Sequence, residues 1–244
     1  MSFHDNTIIN PDENAFRAPG LGNPPGGINI ACGDLDGDSH DEVLCAPVGF
    51  WSKEAGFSKL QAMNIKNPEQ IADGIIPSVS VQWSQAQPIF SPNSNPSGTM
   101  RFACGDVTGD GRDEIVIVTA SYNGILGNNI LTILSSNLTD DDFGMNAPFA
   151  TLLTDNGVRA SAALFSLKTN PSGNIFLSVW DVDEDGVDEI IIGRGENAAN
   201  EVIIYDFNGT ASGPSHGLQK KSVWRTSNED TVEGTNVVAG LLAH

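Results

Sequence analysis

The residues of this chain that could do chemistry gather in three short acidic strings: GDLDGDSHDEV at 33–43, GDVTGDGRDEI at 105–115 and WDVDEDGVDEI at 180–190. Numbered from its first aspartate, the first string sets Asp34, Asp36 and Asp38 at positions 1, 3 and 5, and Glu42 at position 9. The third repeats this with Asp181, Asp183, Asp185 and Glu189. The second has Asp106, Thr108, Asp110 and Glu114, a hydroxyl standing where the others carry a carboxylate. Oxygen atoms at alternating positions of a tightly curved loop converge on one centre, which is what a hard cation requires. Calcium takes roughly six to eight oxygens at about 2.3–2.6 Å, a backbone carbonyl among them, whereas magnesium demands a stricter octahedron and keeps its water. Position 7 is His40, Arg112 or Val187, side chains with nothing in common, as fits a ligand that offers only its carbonyl. Position 6 is Gly111 and Gly186, as a turn of positive φ favours, but Ser39 in the first string. Asp41, Asp113 and Asp188 stand just before each glutamate and are read as facing outward or lying behind the ligands.

The charge balance supports a cation. Lys and Arg number 12 against 31 Asp and Glu, for a net charge of −19, and fifteen of the acidic residues fall within 34–42, 106–114 and 181–189. Nucleic acid and membrane insertion are excluded as partners: polyanions and anionic surfaces repel such a chain, and no apolar run of about 18 residues is present. The opening MSFHDNTIINPDENAFRAPG lacks a basic region followed by an apolar one, so no signal peptide is visible. Cys32, Cys45 and Cys104 have no zinc or redox spacing, and are read as small buried strand residues.

The strings must be held by strands. Each follows a strand-like run (GGINIACG, GTMRFACG, GNIFLSVW) and leads into another (EVLCAPV, EIVIVTA, EIIIGRG). Two further strands complete each unit: 58–65 and 78–83, 130–136 and 148–154, 201–207 and 220–226. The first aspartates recur at intervals of 72 and 75 residues, giving repeats of about 26–96, 97–171 and 172–232 within a single domain, 1–244. Four antiparallel strands per repeat are the blades of a β-propeller, so the expected fold class is all-β with propeller-type blades. Partial blade strands are expected at 1–25 and 233–244. Three blades leave sheet edges, so closure is expected by the ends meeting, by pairing with another copy, or by the rest of a longer chain.

With the strings and strands placed, the segments resemble the FG-GAP or VCBS repeats of integrin-α-like β-propellers, most closely at DVDEDGVDEIIIGRGENAANEVIIYDFNG. The resemblance implies up to three calcium sites. The first would use Asp34, Asp36, Asp38, the His40 carbonyl and Glu42; the second Asp106, Thr108, Asp110, the Arg112 carbonyl and Glu114. The third would use Asp181, Asp183, Asp185, the Val187 carbonyl and Glu189, and by charge count it should bind tightest. The family often ends its loop in aspartate where this chain has glutamate. Calcium would be structural, and the function implied is extracellular or cell-surface recognition of a protein or glycan ligand, as in cell adhesion.

An enzyme is not expected, because no GxSxG elbow is present and His4, His40, His216 and His244 fit no catalytic signature. Two alternatives stand beside the binding module: a polysaccharide-active, lyase-like enzyme, and a structural spacer in a larger surface protein or toxin. Trp51, Trp83, Trp180 and Trp224 raise a sugar-stacking platform, against which plain packing is the favoured reading. Trp180 is the oddest of them, standing where the other repeats have Gly33 and Gly105.

Overall fold

Each acidic string is the turn of a β-hairpin. In the computed structural model, which describes residues 28–47, 59–66, 80–83, 87–88, 100–119, 130–136, 138, 150–152, 154–155, 158–159, 161–163, 175–194, 201–208 and 217–225, the chain is all-β. β1 (Ile28–Gly33) pairs antiparallel with β2 (Glu42–Pro47), and the last pair before the turn is Gly33 with Glu42. β3 (Lys59–Lys66) continues the sheet, and its far edge is shared by β4 (Ser80–Trp83) and β5 (Gln87–Pro88).

The second sheet repeats this order with β6 (Met100–Gly105), β7 (Glu114–Thr119) and β8 (Ile130–Ser136). Its fourth place is split between β9 (Ala150–Leu152) and β12 (Ser161–Ala163). Between these, β10 (Thr154–Asp155) and β11 (Val158–Arg159) form a small hairpin. The third sheet is the most regular: β13 (Ile175–Trp180), β14 (Glu189–Arg194), β15 (Glu201–Phe207) and β16 (Leu218–Arg225), in that order.

Alternation along the strands decides how the sheets stack. In EIVIVT of β7, Ile115 and Ile117 face a core shared with Leu35, Leu44, Leu60 and Phe102, between the first and second sheets. Val116 and Val118 face the opposite way, into a core with Val179, Ile190, Ile192 and Ile203 of the third. A period of two on a sheet buried on both faces produces this division, and the middle sheet is therefore apolar on both sides. β6 lies against both β1 and β13, so the first strands of the three sheets are neighbours.

Two glycines permit that approach. A Cβ on Gly33 would stand 2.4 Å from the Cβ of Cys104, and one on Gly105 would stand 2.3 Å from Cγ1 of Val179. Real side chains do not tolerate such distances, so the second and third sheets can seat only on a glycine. The corresponding residue of the third sheet is Trp180, which pairs with Glu189 as Gly33 pairs with Glu42. It is 40% exposed, and a further sheet seated in the same manner would strike its side chain.

Among the described residues, three antiparallel sheets stack face to face, and the stack does not close into a ring. The expected partial blades at 1–25 and 233–244 lie outside the described residues. One expectation about cysteine is corrected. Cys45, on β2 between two neighbouring strands, is buried and Cys104 is partly buried, but Cys32, on the edge strand β1, is exposed.

Candidate metal centres

The turns are built by the first aspartate of each string. Asp34 accepts hydrogen bonds at Oδ1 from the Gly37 and Asp38 amides (2.7 and 3.0 Å) and at Oδ2 from Ser39 (2.8 Å). Asp106 does the same with Gly109, Asp110 and Gly111 (2.7, 3.0 and 2.8 Å). Asp181 takes the Asp185 and Gly186 amides (3.1 and 2.9 Å). One short carboxylate thus gathers the amides of a curling backbone, the local bonding for which aspartate is suited in turns.

The curl needs positive φ twice per turn. Position 4 is Gly37 (80°), Gly109 (73°) and Glu184 (61°), and position 6 is Ser39 (71°), Gly111 (86°) and Gly186 (90°). The departure noted at Ser39 is real, and Glu184 is a second one that inspection of position 6 alone overlooks. The fifth-position aspartates cap the end of each turn: Asp38, Asp110 and Asp185 accept the amides of His40, Arg112 and Val187 at 2.8, 3.0 and 2.9 Å. His40 itself is exposed, with Nδ1 3.4 Å from Asp38.

The glutamates at position 9 are the buried members. Glu42 and Glu114 are each 1% exposed and Glu189 is 3% exposed. Glu42 accepts the Leu35 amide at 3.0 Å, and Glu189 the Val182 amide at 2.7 Å. Glu114 instead accepts the Thr108 amide, at 3.0 Å. Burial, reinforced by Asp36, pushes the Glu42 carboxyl up to about 8. Burial likewise takes Glu114 to about 8. Two carboxylates sunk beside others at the end of a hairpin are held protonated unless a positive charge joins them.

In two turns the carboxylates come together. Oxygens of Asp34, Asp36 and Glu42 lie within 4.8 Å of one another, as do those of Asp181, Asp183 and Glu189. That is the span of two oxygens on opposite sides of an ion at about 2.4 Å. Either group could hold a metal ion. Positions 1, 3 and 9 form these groups, and Asp38 and Asp185 at position 5 stand outside them. The second turn forms no such group: with Thr108 at position 3 it has one carboxylate fewer, and the Thr108 hydroxyl is buried without a partner in hydrogen-bonding geometry. That hydroxyl still lies close enough to Glu114 to draw its pKa down against burial.

The third turn already has a positive charge. Nζ of Lys221 lies 2.6 Å from Asp183 Oδ2, 2.6 Å from Glu189 Oε1 and 3.2 Å from Asp206 Oδ1. The Asp183 carboxyl is held below its usual range by that ammonium, and Lys221 is pushed above the usual lysine range, chiefly by Asp183. Charge counting, which ranked this turn first for calcium, overlooked a lysine some thirty residues downstream. The adjacent pair Lys220 and Lys221 in a chain with 12 basic residues is the signal that pointed to it.

Asp113 and Asp188 do not face outward. Each reaches back to the preceding turn: Asp113 Oδ2 accepts the Asp34 amide at 3.1 Å, and Asp188 Oδ2 the Asp106 amide at 2.9 Å. The return bonds run from the Asp113 amide to the Asp34 carbonyl (2.8 Å) and from the Asp188 amide to the Asp106 carbonyl (2.9 Å). These aspartates join sheet to sheet. Asp41, with no sheet before it among the described residues, is exposed. Trp180 and Trp224 do not share one platform, since they sit on the outermost strands of the third sheet at opposite ends of its hairpins, and neither is packed away: they are 40% and 61% exposed. Trp51 lies outside the described residues.

No protein-family model matches the chain, and no curated protein is similar to it. The solved structures that overlay on it in part include three lyases. They are the exotype rhamnogalacturonan lyase YesX (15% identity, TM-score 0.44), the rhamnogalacturonan lyase YesW (16%, 0.44) and the Bacillus licheniformis rhamnogalacturonan lyase PL11 (16%, 0.46). The overlays cover 84%, 87% and 87% of this chain but only 34%, 38% and 38% of those proteins, so the chain spans little more than a third of their length. A likeness at this level speaks to neither activity nor substrate.

Proposed function

We propose that this chain is a calcium-stabilised β-sheet module of propeller-type blades that presents its loops to a protein or glycan partner outside the cell or on its surface, with calcium in a structural role. The observation that carries the proposal is the convergence of Asp34, Asp36 and buried Glu42 within 4.8 Å. A buried glutamate beside two aspartates is unfavourable alone and favourable around a divalent ion. The ion would neutralise these oxygens and tie β1 to β2 at the turn. All-oxygen donors suit calcium over a softer metal, and a loop that also offers carbonyls suits it over magnesium.

The test is thermal unfolding in excess calcium and in chelator. For a site with a dissociation constant near 10 μM, about 1 mM calcium would stabilise by roughly 2.7 kcal/mol. Calcium should raise the melting temperature of the native chain and should do little for Glu42→Gln. A native chain that melts at one temperature in both media overturns the calcium reading. A glycan array and a protein pull-down, both with calcium present, then separate the two kinds of partner. Incubation with rhamnogalacturonan in the same buffer tests the enzyme alternative, and the appearance of cleavage products would replace the binding reading.

A further inference from the structure

The third turn carries the full set of position 1, 3 and 9 carboxylates, yet it is the one into which a lysine reaches. The backbone delivers that lysine by a specific device. On β16, Ser222 pairs with Ile204 and Lys220 with Tyr205, so Lys221 is the extra residue of a β-bulge. Bulges re-aim side chains, and this one turns Lys221 towards the hairpin end, where it meets Asp183, Glu189 and Asp206. The ammonium, a donor with no acceptor capacity, lies at 2.6 Å from Asp183 and Glu189, while Asp206 Oδ1 at 3.2 Å is an ion-pair contact outside hydrogen-bonding geometry. Two of those oxygens belong to residues of the metal-type group of this turn, Asp183 and Glu189.

The third oxygen comes from a position where only this sheet has an acid. Ile190 pairs with Tyr205, and Asp206 follows. In the first sheet Val43 pairs with Met63, and Asn64 follows; in the second Ile115 pairs with Leu134, and Ser135 follows. Lysine and added aspartate thus occur together, in one sheet of three.

We propose that Lys221 is the resident cation of the third turn: its ammonium, with Asp206 as additional counter-charge, holds the place a divalent ion would take between Asp183 and Glu189. The first and third turns are then neutralised in different ways, by an ion at the first and by a tethered lysine at the third. A tethered ammonium loses no translational freedom on docking and is present at every calcium concentration. The third hairpin is thereby fixed whether or not calcium is available, while the first depends on it. This inference rests on the calcium reading only for the contrast with the first turn.

Amide-resolved NMR of the whole chain tests the two separately. The protein is stripped with chelator and titrated with calcium chloride. In the native chain the Gly37, Asp38 and Ser39 amides should shift and saturate, while those of Val182, Asp185 and Gly186 stay in place at the same calcium concentration. In Lys221→Met, or in Lys221→Gln should the first variant fold poorly, the Val182, Asp185 and Gly186 amides should acquire a saturable calcium response. Third-turn amides that respond in the native chain as the first-turn amides do would overturn the proposal, and this measurement needs no variant. A Lys221 variant whose third turn still ignores calcium would overturn it as well. A native first turn that ignores calcium, together with a Lys221 variant whose third turn responds, defeats the calcium reading of the first turn and leaves the role of Lys221 standing.

Discussion

Asp113 and Asp34 exchange two hydrogen bonds across the junction of the first two sheets: the Asp34 amide donates to Asp113 Oδ2 at 3.1 Å, and the Asp113 amide donates to the Asp34 carbonyl at 2.8 Å. The same exchange joins Asp188 to Asp106. It places the eighth residue of one turn under the first residue of the turn before it. The first residue also organises its own turn, so sheet docking and turn geometry share one residue. Asp113→Ala would strand a partly buried amide, and should cost about 1–3 kcal/mol. For a chain of this size that lowers the melting temperature by several degrees. Asp188→Ala should behave alike. Asp41→Ala, at the equivalent but exposed position, should move the melting temperature far less. Equal losses for Asp41→Ala and Asp113→Ala in chemical denaturation would show that the exchange between sheets contributes nothing of its own.

The two glycines under those junctions make a steeper prediction. Alanine at position 33 would put a methyl 2.4 Å from both Cys104 Cβ and Asp113 Oδ2; at position 105 it would meet Val179 and Asp188 at 2.3 and 2.5 Å. Overpacking of this kind costs typically about 1–3 kcal/mol. The two should be comparably harmful, since each blocks one junction of the middle sheet at a similar distance. The double variant Gly105→Ala with Val179→Ala removes one of the two clashing groups, and should recover part of the loss. No recovery would mean that the Val179 contact is not what forbids a side chain.

Turn strain offers gains in stability. Ser39 and Glu184 have φ of 71° and 61°, a region where a side chain costs roughly 1 kcal/mol relative to glycine. Ser39→Gly and Glu184→Gly should each stabilise by about 0.5 kcal/mol, the remainder being offset by the greater freedom of glycine in the unfolded chain. Urea unfolding of each single variant measures this. Glu184→Gly also removes a charge from the most acidic turn, so its gain should shrink as salt rises, and that of Ser39→Gly should not.

The strands were legible because period-two alternation and β-branched runs flank every turn, and the third repeat, where both signals are strongest, is the most regular sheet. The fourth strands were legible only in outline: the described strands within the 78–83 and 148–154 runs are Ser80–Trp83 and Ala150–Leu152, with Thr154 beginning β10, and β5 and β12 share their edges. Spacing identified the turn aspartates because side chains at positions 1, 3 and 9 belong to one local loop. What spacing could not reach were the relations between distant parts of the chain. Asp113 and Asp188 could be read only as outward-facing or as lying behind the ligands, because their partners are the amides of another repeat, 79 and 82 residues away. Lys221 is 32 residues from Glu189 and meets it only through the bulge. Trp180 is the reverse case, a residue whose oddness was visible but whose meaning required the close contacts over Gly33 and Gly105.

Acidity gives the last prediction, and its sign depends on calcium. Glu42 and Glu114 stand at about 8 in the folded chain against an ordinary 4.5, and Asp113 at about 7 against 3.8, in each case chiefly through burial. A carboxyl with a raised folded pKa keeps a proton that the unfolded chain has already released. Its stabilising contribution is complete below the ordinary pKa and is lost as pH rises through the folded value. In chelator, therefore, the melting temperature should fall between about pH 5 and about pH 8, and level off above. Calcium binds the ionised carboxylates, so its affinity should rise over that same range, as proton and ion compete for the same oxygens. The difference between the two melting curves should accordingly widen with pH. Glu42→Gln is a neutral stand-in for the protonated side chain. In chelator above about pH 8 it should melt higher than the native chain, and in calcium lower. A native chain whose melting temperature in chelator climbs from pH 5 to pH 8 would show that these carboxyls are already ionised and compensated in the folded state, and would remove the electrostatic reason for a metal at the first turn.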